Sequence, residues 1–320
     1  MSGIKNTSIK DIKMKLLLTG TSGFIGKNLI ENAPKDMEII AIYNKSNKIK
    51  NFVEKKKIKN VKLYKCDFTK KRELNTLFQK IGDNFEYCIY LAGNVNVPIS
   101  ITNPIEDLNA NAVALINFLH ACNKIDKFVY MSSAAVYDGN KGRVTTETKL
   151  DPIIPYCISK LAAEQYVKYF ASIKKIKGYV ILRFGGAYGE YSEKKFVSQL
   201  VNQIYLQNKK TIEIYGDGTN MVNIMYVKDT VKALLSCLKS PKSNIICNLG
   251  QDNITITKLV KKVAKIFNKK VSIKYTKKRK DQKYIKFEID VEFNRIFDFK
   301  QDYSLEKGLK EFGKIMKNGK

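Results

Sequence analysis

Tyr156 and Lys160 have the four-residue spacing that places two side chains on the same face of a helix. An ammonium beside a phenol stabilises the phenolate, so the pair predicts a lowered tyrosine pKa, suited to accepting a proton. The Tyr-x-x-x-Lys spacing occurs five times in the chain, but only PYCISK opens a predicted helix shortly after a strand that ends in serines. Ser133, with Ser132 as the neighbouring alternative, can hold a substrate hydroxyl. Such a group removes a proton from an alcohol while a nicotinamide accepts a hydride.

Three glycines follow the first predicted strand, in TGTSGFIG at residues 19–26. Gly20 permits a tight turn, and Gly23 lets backbone N–H groups approach a pyrophosphate at the positive end of a helix. Gly26 lets that helix pack closely on the sheet. An ordinary strand-to-helix turn needs one glycine rather than three at this spacing. The segment therefore predicts a dinucleotide-binding loop.

The end of the second predicted strand lacks the acidic residue that binds the adenosine ribose in NAD-binding folds. Tyr43 and Asn44 lie there instead, followed by the basic segment KSNK at 45–48. This segment could receive the 2′-phosphate of NADP or form a solvated loop, so NAD(H) and NADP(H) both remain open. Asp67, in KCDFT after the third predicted strand, is placed to contact the adenine edge, with helix capping near Thr69 as the alternative.

Short apolar strands alternate with amphipathic segments from residue 14 onward. This alternation predicts an α/β fold with a Rossmann-like, doubly wound parallel sheet and a smaller C-terminal α/β substrate lobe. We expect residues 1–13 to be an N-terminal tail and residues 14–185 to be the dinucleotide-binding domain, completed by about 222–249. Residues 186–320 are then mainly the substrate-binding lobe.

Composition narrows the class of protein further. The net charge of +28 suggests nucleic acid, but only five of the 58 basic residues are arginine, and the lysines are spread along the whole chain. Nucleic-acid binding is therefore disfavoured, whereas a positive surface attracts an anionic small substrate. Six cysteines without CxxC spacing and a single histidine argue against a metal site. No bilayer-spanning run and no signal-peptide core are present, so we expect a cytoplasmic protein with reduced thiols.

Taken together, the motifs resemble the extended short-chain dehydrogenases/reductases of the NAD-dependent epimerase/dehydratase family, which modify nucleotide sugars. The likeness runs from about residue 14 to the C-terminus, and the combination of motifs carries it rather than any one of them. The similar segments are TGTSGFIG, YLAGNVNVPIS, SSAAVY, PYCISKLAAEQ, LRFGGAYG, IYGDG with YVKD, CNLG and YSLEKGLKE.

The resemblance implies a role for individual residues. The implied catalytic residues are Ser133, Tyr156 and Lys160. The implied cofactor-binding residues are Gly20, Ser22, Gly23, Phe24, Ile25, Gly26, Asn44, Lys45, Asp67, Phe68, Leu91, Ala92, Gly93 and Lys160. The implied substrate-binding residues are Val95, Ser133, Tyr156, Gly186 and Arg279. The family also implies a nucleotide-diphosphate sugar substrate, no metal, and a homodimer formed through the helices near 104–122 and 156–174.

The resemblance limits the reaction as well. Dehydratases of the family carry an Asp-Glu pair directly after the catalytic Ser or Thr, where this chain has Ala134 and Ala135. An epimerase acting at C4 through a transient 4-keto intermediate is therefore favoured. A 4-dehydrogenase or 4-keto reductase with the same catalytic residues, and a non-catalytic redox-sensing or nucleic-acid-binding relative, are the alternatives. The chain also has Gly186 where the family has Asn, and Val222-Asn223 where it has Arg-Asp.

Overall fold

The computed structural model describes residues 14–192, 195–277 and 285–318. The expected N-terminal tail, residues 1–13, and Arg279 lie outside these ranges. Within them, no helix has both the length and the apolar character needed to cross a lipid bilayer.

Strands account for the apolar runs of the sequence. The fourteen strands in the described ranges are β1 (Lys15–Thr19), β2 (Glu38–Tyr43), β3 (Val61–Lys65), β4 (Asn84–Tyr90), β5 (Lys124–Met131), β6 (Gly142–Val144), β7 (Ile176–Phe184), β8 (Ala187–Tyr188), β9 (Thr211–Tyr215), β10 (Met221–Tyr226), β11 (Ile245–Leu249), β12 (Asp252–Thr255), β13 (Ser272–Thr276) and β14 (Ile285–Phe287).

Helices connect most of these strands. The α-helices in the same ranges are α1 (Phe24–Asn32), α2 (Lys48–Lys55), α3 (Lys71–Ile81), α4 (Val97–Thr102), α5 (Pro104–Leu108), α6 (Ala114–Ala121), α7 (Pro155–Ser172), α8 (Phe196–Val201), α9 (Val227–Lys239), α10 (Ile256–Ile266), α11 (Val291–Ile296) and α12 (Leu305–Asn318). Two π-helical turns, Asn109–Val113 and Asn202–Leu206, and a 3₁₀ turn, Ala134–Tyr137, complete the list.

The main sheet has seven strands in the order β11-β7-β5-β4-β1-β2-β3. Every neighbouring pair runs parallel. The central strands are apolar almost throughout because helices cover both faces, as in strand β1, where Leu16 and Leu18 face one core and Leu17 the other. The predicted doubly wound parallel sheet is confirmed.

Apart from the cores on the two faces of the main sheet, a separate hydrophobic core, called the second core below, lies in the C-terminal half of the chain. It packs helices α8, α10 and α12 around strands β8, β9, β10 and β12. Strands β12, β10 and β8 form a three-stranded sheet, and β13 pairs with β9. Strand β11 belongs to the main sheet instead, where it pairs with β7.

The strand order reverses beside β1, which lies between β4 and β2. In doubly wound sheets, the carboxyl ends of the strands at such a reversal form the ligand-binding crevice. Here the ends of β1 and β4 are joined directly: the Thr19 hydroxyl oxygen accepts hydrogen bonds from the N–H groups of Leu91 and Ala92, both at 3.1 Å. A Cβ on Gly20 would lie 2.6 Å from the carbonyl carbon of Leu91. The crevice therefore depends on a glycine at this position.

We expect Gly20→Ala to destabilise the chain by more than backbone strain alone. Gly20 has φ +69°, and its added Cβ would meet only main-chain atoms, which cannot rotate away. Gly142 has a similar φ of +77° with nothing within 4 Å, so Gly142→Ala isolates the backbone cost of about 1–3 kcal/mol. Urea unfolding of both variants measures the difference. Equal losses of unfolding free energy would contradict the close-approach argument.

Candidate active site and cofactor groove

The glycine loop leaves the N-terminus of helix α1 open to an anion. Gly23 is the N-cap residue, no side chain caps the helix, and its first turn contains no acidic residue. The first N–H groups of the helix are therefore free to bind a phosphate. Ser22, Phe24 and Ile25 are partly exposed around this end. Gly26 is required because a Cβ there would lie 2.6 Å from the carbonyl oxygen of Gly20.

The segment after β4 lines the same crevice. Leu91 and Ala92 are held against β1, as described above, and Gly93 follows with φ +153°. A Cβ on Gly93 would lie 2.5 Å from the Asn111 side-chain oxygen, so the loop and the π-helical turn fit together only with glycine here. Val95 is 62% exposed beyond this contact.

The adenosine end of the groove lies after β2 and β3. Asn44 and Lys45 are exposed, and Asp67 is half-buried. One carboxylate oxygen of Asp67 accepts hydrogen bonds from the Thr69 N–H (3.0 Å) and hydroxyl (2.7 Å). Burial raises the pKa of Asp67, but these bonds and one from Asn44 outweigh it and lower the pKa overall. Phe68 is buried in an aromatic cluster, so only its backbone can line the groove.

The two candidate serines have different surroundings. Ser132 is buried, and its hydroxyl donates a 2.5 Å hydrogen bond to Glu164. Ser133 is partly exposed, accepts the N–H of Ala135, and hydrogen-bonds the Tyr156 phenol. Of the two, Ser133 is therefore the one next to Tyr156.

The predicted lowering of the Tyr156 pKa is wrong. Burial raises the pKa of Tyr156 to about 12, and the hydrogen bond with Ser133 opposes this only in part. The Lys160 ammonium is directed elsewhere: it donates 2.7 Å to the Met131 carbonyl and lies 4.3 Å from the centre of the Tyr130 ring. The phenol is therefore neutral in this arrangement.

Lys160 is the buried base of the site. Its side chain is 6% exposed, and burial lowers its pKa to about 7 despite the charges of Glu164 and Asp107, which raise it. Near neutral pH it is consequently able to hold or give up a proton. Tyr130 contributes its ring face, since a cation over an aromatic face is stabilised by the ring quadrupole.

A buried polar network next to Tyr156 was not predicted. Asp107 is fully buried, and its carboxylate accepts hydrogen bonds from Asn94 (3.0 Å), Asn111 (3.0 Å) and Ser159 (2.6 Å). The Ser159 hydroxyl also contacts the carbonyl of Tyr156. The π-helical turn places Asn111 in this network, and the i, i+4 spacing of Asp107 and Asn111 was the available signal.

A second buried network supports the same helix from the other side. Arg183 on β7 pairs with Glu164 at 2.9 Å and donates 2.7 Å to the Tyr137 hydroxyl. Tyr137 in turn donates to Asn248 on β11. Since Glu164 also accepts from Ser132, the network joins α7 to three strands of the sheet.

At the substrate end, Gly186 lies opposite β10 with φ +155°. The buried Asn223 side chain fits between two glycines: a Cβ on Gly185 would lie 2.5 Å from its oxygen, and a Cβ on Gly250 would overlap it. The Asn223 amide nitrogen has no hydrogen-bond partner within the described chain.

The described ranges contain no cluster of potential metal ligands. No group of three or more His, Cys, Asp or Glu side chains there could hold a metal ion. The six cysteines are buried free thiols.

Comparison with known proteins identifies similar chains. A model of the NAD dependent epimerase/dehydratase family matches residues 16–250. A provisionally named UDP-glucose 4-epimerase of Methanocaldococcus jannaschii is 29% identical, over 95% of this chain and 98% of that protein. A dTDP-D-glucose 4,6-dehydratase of Dictyostelium discoideum is 30% identical, over 79% of this chain and 62% of that protein.

The fold is shared with solved structures. The UDP-glucose 4-epimerase of Thermotoga maritima, determined with UDP-glucose, superposes with a TM-score of 0.82 at 24% identity. The match covers 96% of this chain and 99% of that one.

The Lys160 pKa predicts a pH-dependent stability. The folded chain loses this proton near pH 7, whereas the unfolded chain keeps it to about 10.5, so the unfolded state binds more protons between these values. The unfolding free energy of the parent chain should therefore rise relative to Lys160→Met, by up to about 1.4 kcal/mol per pH unit in this window. Denaturant titrations at several pH values measure the slope, with Lys168→Met on the same helix as the control. A difference that stays flat with pH would contradict the buried-base description.

Proposed function

Because the chain belongs to the NAD dependent epimerase/dehydratase family, we propose that it is a nucleotide-sugar epimerase acting at C4. The observation that carries this proposal is the hydrogen bond between Ser133 and Tyr156, next to the Met131 carbonyl that accepts from Lys160, at the end of β5. Strand β5 runs parallel to β1 in the main sheet, so its end lies at the same edge of the sheet as the glycine loop. Relatives named as UDP-glucose and UDP-glucuronate 4-epimerases support the substrate class.

The residues divide the chemistry between them. Bound NAD(H) or NADP(H), held by the glycine loop, would supply the nicotinamide as hydride acceptor and donor for C4. Ser133 would hold the C4 hydroxyl, and Tyr156 in its phenolate form would accept the proton, so that loss of the O–H proton and the C4 hydride would leave a 4-ketone. The Lys160 ammonium would favour this phenolate once it turned from the Met131 carbonyl towards the phenol. Reduction of the ketone from its opposite face, with the proton returned by Tyr156, would give the C4 epimer with no net redox change.

The second core of the chain is the proposed substrate lobe. It follows Gly186 and contributes β10, whose Asn223 lies against the ends of the main sheet. Exposed Tyr215 and Tyr275 lie on the paired strands β9 and β13 of this lobe. A nucleotide-sugar would bind between these strands and the glycine loop.

The residues after Ser133 disfavour dehydration. Ala134 and Ala135 lie in a 3₁₀ turn and carry no acid that could expel a 6-hydroxyl, although one relative at 30% identity is named as a dehydratase. A 4-dehydrogenase or 4-keto reductase would use the same three residues. Such an enzyme would differ from an epimerase in releasing an oxidised or reduced sugar together with a cofactor whose redox state has changed.

We expect Tyr156→Phe to reduce the rate of epimerisation about 10²–10⁴-fold, because the C4 hydroxyl loses its proton acceptor. The assay incubates UDP-glucose, UDP-glucuronic acid and UDP-N-acetylglucosamine with the protein and separates C4 epimers by chromatography. Cofactor content after denaturation, identified by mass and absorbance, should be unchanged in the variant. Ser132→Ala controls for the neighbouring serine and should lose far less turnover than Ser133→Ala.

Reaction in D₂O tests the hydride mechanism, and analysis of the sugar product and of the cofactor separates the alternatives. The hydride stays on the cofactor throughout an epimerisation, so the product should carry no solvent deuterium at C4. A dehydratase would instead give a 4-keto-6-deoxy product. Stoichiometric oxidation or reduction of added cofactor would identify a dehydrogenase or reductase, and unchanged turnover without the Tyr156 phenol would contradict all three.

A homodimer is the proposed assembly. Helices α4, α5 and α7 pack against each other, and each of them exposes apolar side chains. Ile105 is the most exposed of them, at 67%. Apolar residues at helical spacing on neighbouring helices suit packing against a second copy of the same helices. The residues of this surface are Ile101, Ile105, Leu108, Ile158, Tyr166, Tyr169 and Ile173.

We expect the parent chain to sediment at twice its 36.6 kDa mass and the Ile105→Glu, Tyr169→Glu double variant to sediment at 36.6 kDa. Two buried carboxylates in each copy would oppose association. Val291→Glu, an exposed residue on α11, is the control and should remain dimeric. A monomeric parent chain at micromolar concentration would contradict this proposal.

A further inference from the structure

Four buried charged side chains lie around helix α7, and only two of them are paired. Arg183 and Glu164 form an ion pair at 2.9 Å, so their charges balance each other. Lys160 and Asp107 are buried as well, and neither has an ion-pair partner within 4 Å among the described residues. One buried cation and one buried anion are therefore left over.

The contacts of Asp107 are those of an ionised carboxylate. Its two oxygens accept hydrogen bonds from the side-chain amides of Asn94 and Asn111, both at 3.0 Å, and from the Ser159 hydroxyl at 2.6 Å. Each of these groups brings a proton to the contact, so the carboxylate needs none of its own. Neutral donors lower the cost of burying a carboxylate but supply no opposite charge. A nearby cation would therefore stabilise Asp107 further.

Lys160 is the buried cation that α7 places beside this carboxylate. It directly follows Ser159, whose hydroxyl donates to Asp107. The Lys160 ammonium itself donates to the Met131 carbonyl at 2.7 Å, so the two charges interact through space rather than through a hydrogen bond. Opposite charges attract over several ångströms in a protein interior, where water screens them little.

The other charged group that faces Lys160 is already neutralised. Burial lowers the pKa of Lys160 to about 7, while the charge of Glu164 and, less strongly, that of Asp107 raise it. Glu164 is the larger of these two effects taken alone, but it is held in the ion pair with Arg183. The charge of Asp107 is consequently the one that remains to balance the ammonium.

The remaining polar groups around Lys160 carry no charge in this arrangement. The Tyr130 ring centre lies 4.3 Å from the ammonium, and Tyr156 is a neutral phenol because burial raises its pKa to about 12. Asp138 is partly exposed and raises the pKa of Tyr156 further, but it has no such effect on Lys160. These groups leave the balance between Asp107 and Lys160 unchanged.

We propose that Asp107 is the counter-ion of Lys160 and thereby a positioning residue of the active site, which acts on the reaction through the charge of Lys160. The carboxylate increases the proton affinity of Lys160, and so sets the pH at which Tyr156 and Lys160 together lose their first proton. The consequence for catalysis rests on the proposed function, in which the Lys160 ammonium favours the Tyr156 phenolate.

The test is a double-mutant cycle followed as a function of pH. Asp107→Asn keeps the shape of the side chain and removes its charge: the amide oxygen can still accept from Asn94 and Asn111, and the amide nitrogen can donate to the Ser159 hydroxyl. Urea unfolding is measured for the full chain, Asp107→Asn, Lys160→Met and the double variant, from about pH 5 to about pH 9.

We expect the two substitutions to be coupled below pH 7, where Lys160 is charged, and uncoupled well above it, where Lys160 is neutral. The Lys160 titration should move about one pH unit lower in Asp107→Asn, a tenfold loss of proton affinity. Glu106→Gln, which removes an exposed carboxylate from the same helix, is the matched control and should leave the titration in place. In the epimerase assay, the acid limb of the pH–rate profile should move lower by the same amount in Asp107→Asn only.

The outcomes separate this inference from the proposed function. A Lys160 titration that Asp107→Asn leaves unchanged, or that Glu106→Gln shifts equally, would overturn the counter-ion and leave the epimerase in place. Coupling that depends on pH, in a chain that converts no nucleotide-sugar, would support the counter-ion and overturn the proposed function.

A failure of Asp107→Asn to fold below pH 7 is also informative. The double variant with Lys160→Met should then fold, because no buried ammonium is left without an opposite charge. A double variant that is equally unfolded would show that Asp107 acts only through its hydrogen bonds, and would overturn the proposal.

Discussion

The buried ammonium of Lys160 is the interaction on which the arrangement of the site depends. Removing a charge from water costs several kcal/mol, so the surrounding groups must offset that cost. The Met131 carbonyl, the Tyr130 ring and the charges of Glu164 and Asp107 do so only in part, which is why the pKa of Lys160 falls to about 7.

The groups that offset the cost of burying the Lys160 charge are held in place by their own hydrogen bonds and ion pairs. Glu164 is held by Arg183 and Ser132, and through Arg183 by two more strands of the sheet. Asp107 has no ion-pair partner within 4 Å among the described residues, and its carboxylate accepts hydrogen bonds from three neutral donors instead. Helix α7 is thus tied to the sheet on one side and to the π-helical turn on the other. Its position, and with it that of Tyr156, follows from the need to bury one charge.

Much of this could be predicted from the sequence, for physical reasons that differ between elements. The central strands β1 and β2 of the main sheet are nearly continuous apolar runs because both faces are covered, so their pattern is clear without knowing their neighbours. The glycine loop is a local feature, so the spacing of its three glycines alone predicts a dinucleotide-binding loop. The pKa of Tyr156 could not be predicted in the same way, because it depends on burial and on where the Lys160 ammonium points. Likewise, Asp107 reads as a surface helix residue until α7 is packed against it.

The second core contacts the main sheet at positions where two glycines carry no side chain. Asn223 of β10 occupies the space that side chains at Gly185 and Gly250 would fill, and these glycines follow the two neighbouring strands β7 and β11. The Asn223 oxygen also accepts the N–H of Gln251 at 3.1 Å. The second core is therefore set against the ends of the main sheet at a fixed distance. A substrate bound between them would lie in a cleft whose width is set by the contact of Asn223 with the backbone at Gly185 and Gly250.

The position of strand β3 in the main sheet bears on association between molecules. Among the described residues it is the edge of the main sheet, so one row of its backbone hydrogen-bonding groups lacks a partner strand there. An open edge of this kind can pair with the same edge of another molecule and begin aggregation. Lys62 and Lys65 project from this strand, and both are exposed. Lys62 pairs with Glu38 at 2.8 Å, so the repulsion between two approaching edges comes chiefly from Lys65, and it disfavours extension of the sheet between molecules.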